Sequence, residues 1–356
     1  MYMKVIDLFS GPGGLSLGLK RAGFQVVANV EINRDAMDTY ASHDTVATHI
    51  NEDARGVSFE RYKGIVDVVA GGPPCQPFSI GGLRKASSDE RDMIPEFIRC
   101  LNEVQPAAFI MENVPGLTMK RTRAYFESVL ARLAQVGYSL NWTIVNAADY
   151  GIPQKRRRLF ILGSRCKRLR FPAPTHGHEG LPPHVSALAT LGNEPIGEEP
   201  NCPVKYAKYP DLRPSPYAGH VYNGGGRPID PRGSCHTILA SSGGYKTHWV
   251  DTQNVAPEYH AHLMRGGKPW EGTVPGARRL SVEECAVIQT FPRGFAFCGR
   301  RSSQYTQVGD AVPPDLASVI ANTIYCQLNG KGDSLRLLKP SSGMGQTQGD
   351  LLLCEM

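Results

Sequence analysis

The chain has 356 residues, of which 41% are hydrophobic and 20% charged, with a formal net charge of +6. At roughly 100–200 residues per domain, the length allows about two domains, and the apolar content excludes a disordered chain. No stretch approaches the roughly 18 consecutive apolar residues of a membrane span, and the start MYMKVIDLFSGPGG has no signal-peptide layout. The nine cysteines include no C-x-x-C pair, which suggests neither a disulfide framework nor a zinc ribbon. The expectations are a cytoplasmic chain with no membrane partner and no metal; the mild positive charge hints at an anionic partner.

The first half alternates strand and helix signals. KVIDLF (4–9) reads as a strand, GPGG (11–14) as a tight turn and LSLGLKRAG (15–23) as a helix stopped by Gly23. QVVANVE (25–31) is a second strand, followed by a helix through INRDAMDTYASH. IVDVVAGG (65–72) and AAFIMEN (107–113) are buried strands, each followed by a helical pattern, at 94–105 and 123–137. LFILG (159–163) is a further strand. This rhythm predicts an α/β fold with a doubly wound, mostly parallel sheet.

The rhythm breaks near Phe171. A stretch rich in Pro and Gly runs to about Gly276, with strand-like pieces at 235–241 and 247–251, and predicts a smaller, loop-rich β domain. Helical patterns return at 281–291 and 314–328. The expected division is a catalytic domain at 1–172 and 303–330, a smaller domain with a hinge at 173–302, and a polar tail at 331–356.

Residues 4–31 run strand, glycine turn, helix, strand, acid. Such a turn lets a backbone approach a ligand closely, and Glu31 sits where these folds bind ribose hydroxyls. A dinucleotide site would show G-x-G-x-x-G, whereas the third position here is Ser16. With no basic residue at the turn for a pyrophosphate, a nucleoside without phosphates fits better. S-adenosylmethionine matches that description, with Asp53 as an acceptor for its adenine amino group. The residues alone leave a purely structural turn open.

Cys75 follows a buried strand directly, at the carboxyl edge where open α/β sheets place their ligands. Prolines on both sides stiffen its backbone, and the following IGGLRKASSDERD is small and polar, as a lid would be. The other eight cysteines read as buried small hydrophobes. Glu112 ends the strand AAFIMEN and projects at the same edge. In Gln154-Lys155-Arg156-Arg157-Arg158, alternation predicts Gln154, Arg156 and Arg158 on one side. Eight Lys and Arg lie between Lys155 and Arg170 with no acid among them, a basic segment that the mean charge hides.

Together these residues resemble the cytosine-C5 DNA methyltransferases of bacterial or phage type. The matching blocks are DLFSGPGG, Glu31, Asp53, GGPPCQPFS, MENVPG, DYGIPQKRRRLFILG, RRLSVEECAVIQTFP and QVGDAVPP, in order along nearly the whole chain. The stretch from about Phe171 to Arg278 resembles the family's variable target-recognition region.

The resemblance implies a Rossmann-like methyltransferase fold and methyl transfer from S-adenosylmethionine to C5 of a cytosine flipped out of duplex DNA. It assigns catalytic roles to Cys75, which adds at C6, to Glu112, which holds the ring at N3 and the amine, and to Arg156 and Arg158. Cofactor contacts fall on Phe9, Ser10, Gly11, Gly13, Gly14, Glu31, Ile32, Asp53, Ala54, Gly72, Pro74, Asp310 and Ala311. Asp310 stands where many relatives carry Asn, which changes a donor-acceptor into an acceptor. DNA contacts are expected from Ser79, Arg84 and Arg91 in the lid, from Gln154, and from Arg227, Thr237, Ser241 and Lys246 in the recognition region. A monomer is expected, in a restriction-modification or DNA-marking setting with a companion restriction endonuclease. The rivals are an RNA cytosine methyltransferase and a catalytically inert homologue; the intact Cys75, Glu112 and Arg158 set argues against the latter.

Overall fold

The structure, a computed structural model, describes residues 2–74, 91–332 and 335–338. Cys75, Ser79, Arg84 and the other residues of 75–90, expected as a lid, lie outside the described residues, as do 1, 333–334 and 339–356. The chain divides into two compact units, one formed by 1–146, 157–174 and 314–356, the other by 147–156 and 175–313.

The first unit is built on a seven-stranded sheet. Its strands are β1 (Lys4–Leu8), β2 (Gln25–Val30), β3 (Thr48–Ile50), β4 (Val68–Gly71), β5 (Ala108–Asn113), β6 (Ser139–Asn146) and, after β7 (Gln154–Lys155) in the second unit, β8 (Arg157–Ser164). The order is β3-β2-β1-β4-β5-β8-β6. The first five pair in parallel, and β8 runs antiparallel to both β5 and β6. β4 and β5 are buried at every position, as a sheet covered on both faces requires. The chain winds outward from β1 to β3 and then restarts at β4 on the other side of β1. That makes the carboxyl ends of β1 and β4 a topological switch point, where open sheets of this kind bind ligands.

Helices α1 (Gly14–Arg21), α2 (Arg34–His43), α3 (Ile94–Val104) and α4 (Arg123–Gln135) cover the sheet, with a last helix at Pro314–Leu328. Asn33 caps α2 by accepting from Ala36 N. The apolar stripe of α3 buries Phe97, Ile98 and Leu101. Phe97, Phe109 and Tyr138 form edge-to-face pairs in the core. The last helix returns against α1 at Gly18, where a Cβ would lie 2.3 Å from Ala317 Cβ and 2.6 Å from Pro314 O.

The second unit holds β7, β9 (Tyr206–Asp211), β10 (His220–Tyr222), β11 (Cys235–His236), β12 (Trp249–Asp251) and β13 (Ala277–Arg279) in three two-stranded pairings. Its helices are α5 (Ala187–Leu191), α6 (Val255–Met264), α7 (Val282–Ile288) and α8 (Arg301–Asp310). An aromatic cluster of Tyr206, Tyr222, Trp249, Tyr259 and Trp270 forms its core.

Several expectations change. β6 and α6 are absent from the sequence reading, because SLNWTIVN and VAPEYHAHLM carry neither a clean alternation nor a strong apolar stripe. The second unit is accordingly more helical than its Pro and Gly content suggests. The units also divide differently from the expected 1–172, 173–302 and 303–330. Residues 147–156 and α8 fall in the second unit, and the return comes at Pro314. The reason for the first departure is local: Gln154 and Lys155 leave the sheet to pair in parallel with Cys235 and His236. Among the remaining cysteines, Cys100, Cys235 and Cys285 are buried, but Cys166 is exposed.

Candidate active site

The glycine turn begins with backbone strain. Phe9 leaves β1 with φ 58°, a left-handed conformation that costs a non-glycine residue about 1–2 kcal/mol and that clusters at functional sites. Gly13 follows with φ 93°, and a Cβ there would meet the Tyr40 ring at 2.9 Å, so conformation and space both require glycine. Ser10 N donates to Val30 O, and Ser10 Oγ accepts from Asn29 Nδ2 at 2.9 Å. Gly14 opens α1.

Ser16, the departure from a dinucleotide pattern, carries a specific load. Its hydroxyl donates to Asp7 Oδ2 at 2.6 Å and accepts from Tyr40 OH at 2.7 Å, tying β1, α1 and α2 together beneath the turn. The close helix contact that a third glycine often provides falls instead on Gly18. Asp7 is fully buried, its Oδ1 has no hydrogen-bond partner among the described residues, and burial, reinforced by the negative charge of Glu31, pushes its carboxyl up to about 7.

Glu31 stands at the end of β2 with its carboxylate aimed at the turn. Oε2 accepts from Gly11 N at 2.9 Å and Oε1 from Asn33 N at 2.7 Å. Asn51 Nδ2 donates to the Glu31 carbonyl and positions the same corner. Among the described residues, a Cβ on Gly11 would meet nothing within 4 Å. An oriented acid beside a strained glycine turn at the switch point suits a nucleoside. Ile32 is exposed at 66%. Asp53 caps the short helical turn that begins at the buried Ala54, accepting from Arg55 N at 3.0 Å.

At the carboxyl end of β5, Glu112 is buried and paired with Arg158, whose Nε lies 2.9 Å from Oε1. Register explains the contact. Glu112 pairs with Phe160 across the β5–β8 ladder, and Arg158, two residues earlier on β8, points to the same face. A Cβ on Gly72 would come within 3.1 Å of Glu112 Oε2, so the segment leading to Cys75 passes against this carboxylate. Asn113 Nδ2 donates to Pro73 O at 3.0 Å and Met93 N to Pro74 O at 3.1 Å, fixing Pro73 and Pro74 at the sheet edge.

The second unit places its expected residues differently. Arg156 is fully buried, and its guanidinium donates to Ile238 O, Gly309 O and Ala311 O at 2.8–2.9 Å. It braces backbone, which corrects its expected role at the base or a phosphate. Gln154 is likewise fully buried, donating to Gln289 Oε1 and accepting from Ile238 N; the expected DNA contact is corrected to an interior one. The expected common side for Gln154, Arg156 and Arg158 fails, because the chain turns at Arg156, where Arg156 N donates back to Gln154 O. Thr237 Oγ1 donates to Lys155 O at 2.7 Å. Arg91, Ser241, Lys246 and Asp310 are exposed, and Ala311 is buried. Arg227 is partly buried between His220 and His236, two partners the sequence reading did not single out. Among the described residues, no group of three His, Cys, Asp or Glu is placed to hold a metal ion, and no helix is long and apolar enough to cross a membrane.

Sheet order, switch point and an oriented acid beside a glycine turn define a Rossmann-like fold. Dnmt2 from Spodoptera frugiperda shares it at TM-score 0.65 and 17% identity, over 91% of this chain and 99% of that one. Dnmt2 from S. pombe matches at TM-score 0.65 and 15% identity, over 93% and 99%. The model of the C-5 cytosine-specific DNA methylase family matches residues 3–201 and 213–326, and the chain belongs to that family. Relatives include the type II methyltransferase M.AplI of Arthrospira platensis, 34% identical over 92% of this chain and 87% of its own length. M.FnuDI of Fusobacterium nucleatum is 32% identical over 92% and 96%. The protein is thus a methyltransferase of cytosine in DNA.

Proposed function

We propose that the first unit transfers a methyl group from S-adenosylmethionine to C5 of a cytosine flipped out of duplex DNA, through a covalent bond from Cys75 to C6. The observation that carries this is the buried Glu112–Arg158 pair at the sheet's carboxyl edge, with Gly72 against the carboxylate three residues before Cys75. The turn at Phe9–Gly14, Glu31, Asp53 and Ala54 would hold the cofactor, together with Ile32, Gly72, Pro74, Asp310 and Ala311. When bound, that cofactor supplies an electrophilic methyl group on a sulfonium.

C5 of cytosine is a weak nucleophile. Addition of the Cys75 thiolate at C6 pushes an electron pair toward C5, and charge develops on the ring at N3 and the amine. Glu112 holds those two positions, and Arg158 holds Glu112. Once that electron pair has bonded C5 to the methyl group, loss of the C5 proton expels the Cys75 thiolate and restores the C5–C6 double bond. A base inside a duplex stack is beyond reach of these groups, so flipping precedes the chemistry at a cost of about a few kcal/mol. Closure of the lid over the base, with Ser79, Arg84 and Arg91 toward DNA, offsets part of that cost. Sequence choice belongs to the second unit, through Arg227, Thr237, Ser241 and Lys246. The type II names of the relatives support a restriction-modification role with a companion endonuclease.

The test is bisulfite sequencing of DNA from cells expressing the protein, beside the Cys75→Ala variant. Methylcytosine at one recurring sequence, absent with the variant, is the expected result. Methylation that survives Cys75→Ala refutes the covalent step, and modified tRNA beside an unmodified genome refutes the substrate.

A further inference from the structure

Arginines in the second unit fall into two kinds. Arg279 is buried and donates to Cys202 O and Thr247 O, with Nη2 on Asn223 Oδ1, while Arg156 is spent on three carbonyls. Both are backbone braces. Arg227 is different. Its Nη2 donates to His220 Nε2 at 2.7 Å and its Nη1 to His236 Nδ1 at 3.3 Å, so its acceptors are imidazoles. Its Nε is buried with no hydrogen-bond partner among the described residues. Among the described residues no carboxylate forms an ion pair with it: Asp211 pairs with Arg213 and acts on Arg227 only at longer range, while burial and the Arg213 charge both work against its positive charge.

The imidazoles accept only while neutral. Burial and the adjacent Arg227 charge both hold His220 and His236 below the ordinary imidazole range, so they remain acceptors at neutral pH. His236 donates from Nε2 to Tyr217 O at 2.8 Å, which fixes its tautomer and ring. His248 Nδ1 accepts from Arg227 N at 3.1 Å and anchors the backbone beneath. The result is a guanidinium held in one plane by neutral supports, with hydrogens left on both Nη atoms. It lies near the surface, where His220, Arg213 and Lys155 are exposed.

We propose that Arg227, clamped between His220 and His236, is a guanine-reading arginine that fixes one base of the recognition sequence, an inference that rests on duplex DNA being the substrate. The chemistry selects the base. A guanidinium only donates, and in the major groove guanine alone offers two acceptors, N7 and O6, on one base; adenine presents a donor at N6 and cytosine at N4. Rigidity matters for a base edge, which must be met in one plane, and much less for a phosphate. The surrounding positive side chains would meet the backbone phosphates and carry no sequence information.

The experiment measures methylation rates of the full chain on duplexes carrying the wild-type recognition sequence and on duplexes with each base pair replaced in turn. Arg227→Gln should lower discrimination at one G·C pair by about 10- to 100-fold and leave the other positions unchanged. Arg227→Lys, which keeps the charge but loses the fork, should lose the same discrimination. The double variant His220→Gln, His236→Gln frees the fork without removing it and should lower discrimination at that same pair. This variant carries the test if Arg227→Gln fails to fold by circular dichroism. A loss that is equal on all sequences, with the salt slope reduced by about one, would make Arg227 a phosphate contact and overturn the proposal. Unchanged discrimination overturns it as well. If the wild-type chain methylates no duplex at all, the substrate reading has failed, and that is visible before any variant is made.

Discussion

Asp7→Asn isolates the buried acid beneath the glycine turn. Asp7 has no exposed surface; Oδ2 accepts from Ser16, and Oδ1 has no hydrogen-bond partner among the described residues. Its carboxyl moves from 3.8 in the unfolded chain up to about 7 in the folded one, chiefly through burial. A folded value above the unfolded one means that stability is fully present below about pH 4 and is lost as pH rises through about 7. At about 1.4 kcal/mol per pH unit, the interval from 3.8 to about 7 corresponds to about 4 kcal/mol, of which about 3 kcal/mol falls between pH 5 and pH 8. Asn keeps the shape and an acceptor for Ser16 but cannot ionise. Its unpartnered amide costs about 1–3 kcal/mol at every pH, which cancels when two pH values are compared. The measurement is urea denaturation of both proteins at pH 5 and pH 8, followed by circular dichroism. The stability difference should move toward the variant by about 3 kcal/mol between the two pH values. A difference that stays constant refutes the assignment of Asp7 as a neutral acid.

Arg158→Ala leaves Glu112 buried without its cation, and breaking such a pair costs about 3–5 kcal/mol. Methyl transfer should fall by at least about 100-fold, read as incorporation of labelled methyl groups into DNA, with Arg158→Lys intermediate. Gly18→Ala forces a Cβ to 2.3 Å from Ala317 Cβ and 2.6 Å from Ser318 N, so the last helix must move off α1. A loss of about 3 kcal/mol or more is expected, seen as a lower urea midpoint with an unchanged slope. His248 is buried neutral, and burial depresses it to about 4 from 6.5. A depressed value is stabilising above the unfolded value and is lost on acidification, so about 3 kcal/mol should disappear between about pH 6.5 and pH 4. His248→Gln should flatten that part of the stability profile, and an unflattened profile would count against the burial.

The sheet's first half was legible because its strands are short apolar runs closed by glycine and followed by helical periodicity, and parallel strands buried on both faces leave little choice of alternative. The turn at 9–14, Glu31 and Glu112 could be placed for the same reason: each ends a strand whose direction was already known. Period and order cannot reach the partners that distant segments supply. Arg156 and Arg158 are two residues apart in one basic run, yet a turn at Arg156 sends one to brace carbonyls and the other to Glu112. Ser16 looked like a missing glycine until Asp7 and Tyr40 were seen on either side of it. Arg227 looked like any basic residue in a loop until His220 and His236 flanked it. Sequence alone pointed to the family, because its motifs stand in order along nearly the whole chain. Tertiary structure decided which of several like side chains are buried, paired or exposed, because burial, register and hydrogen-bond partners are set by residues tens or hundreds of positions away.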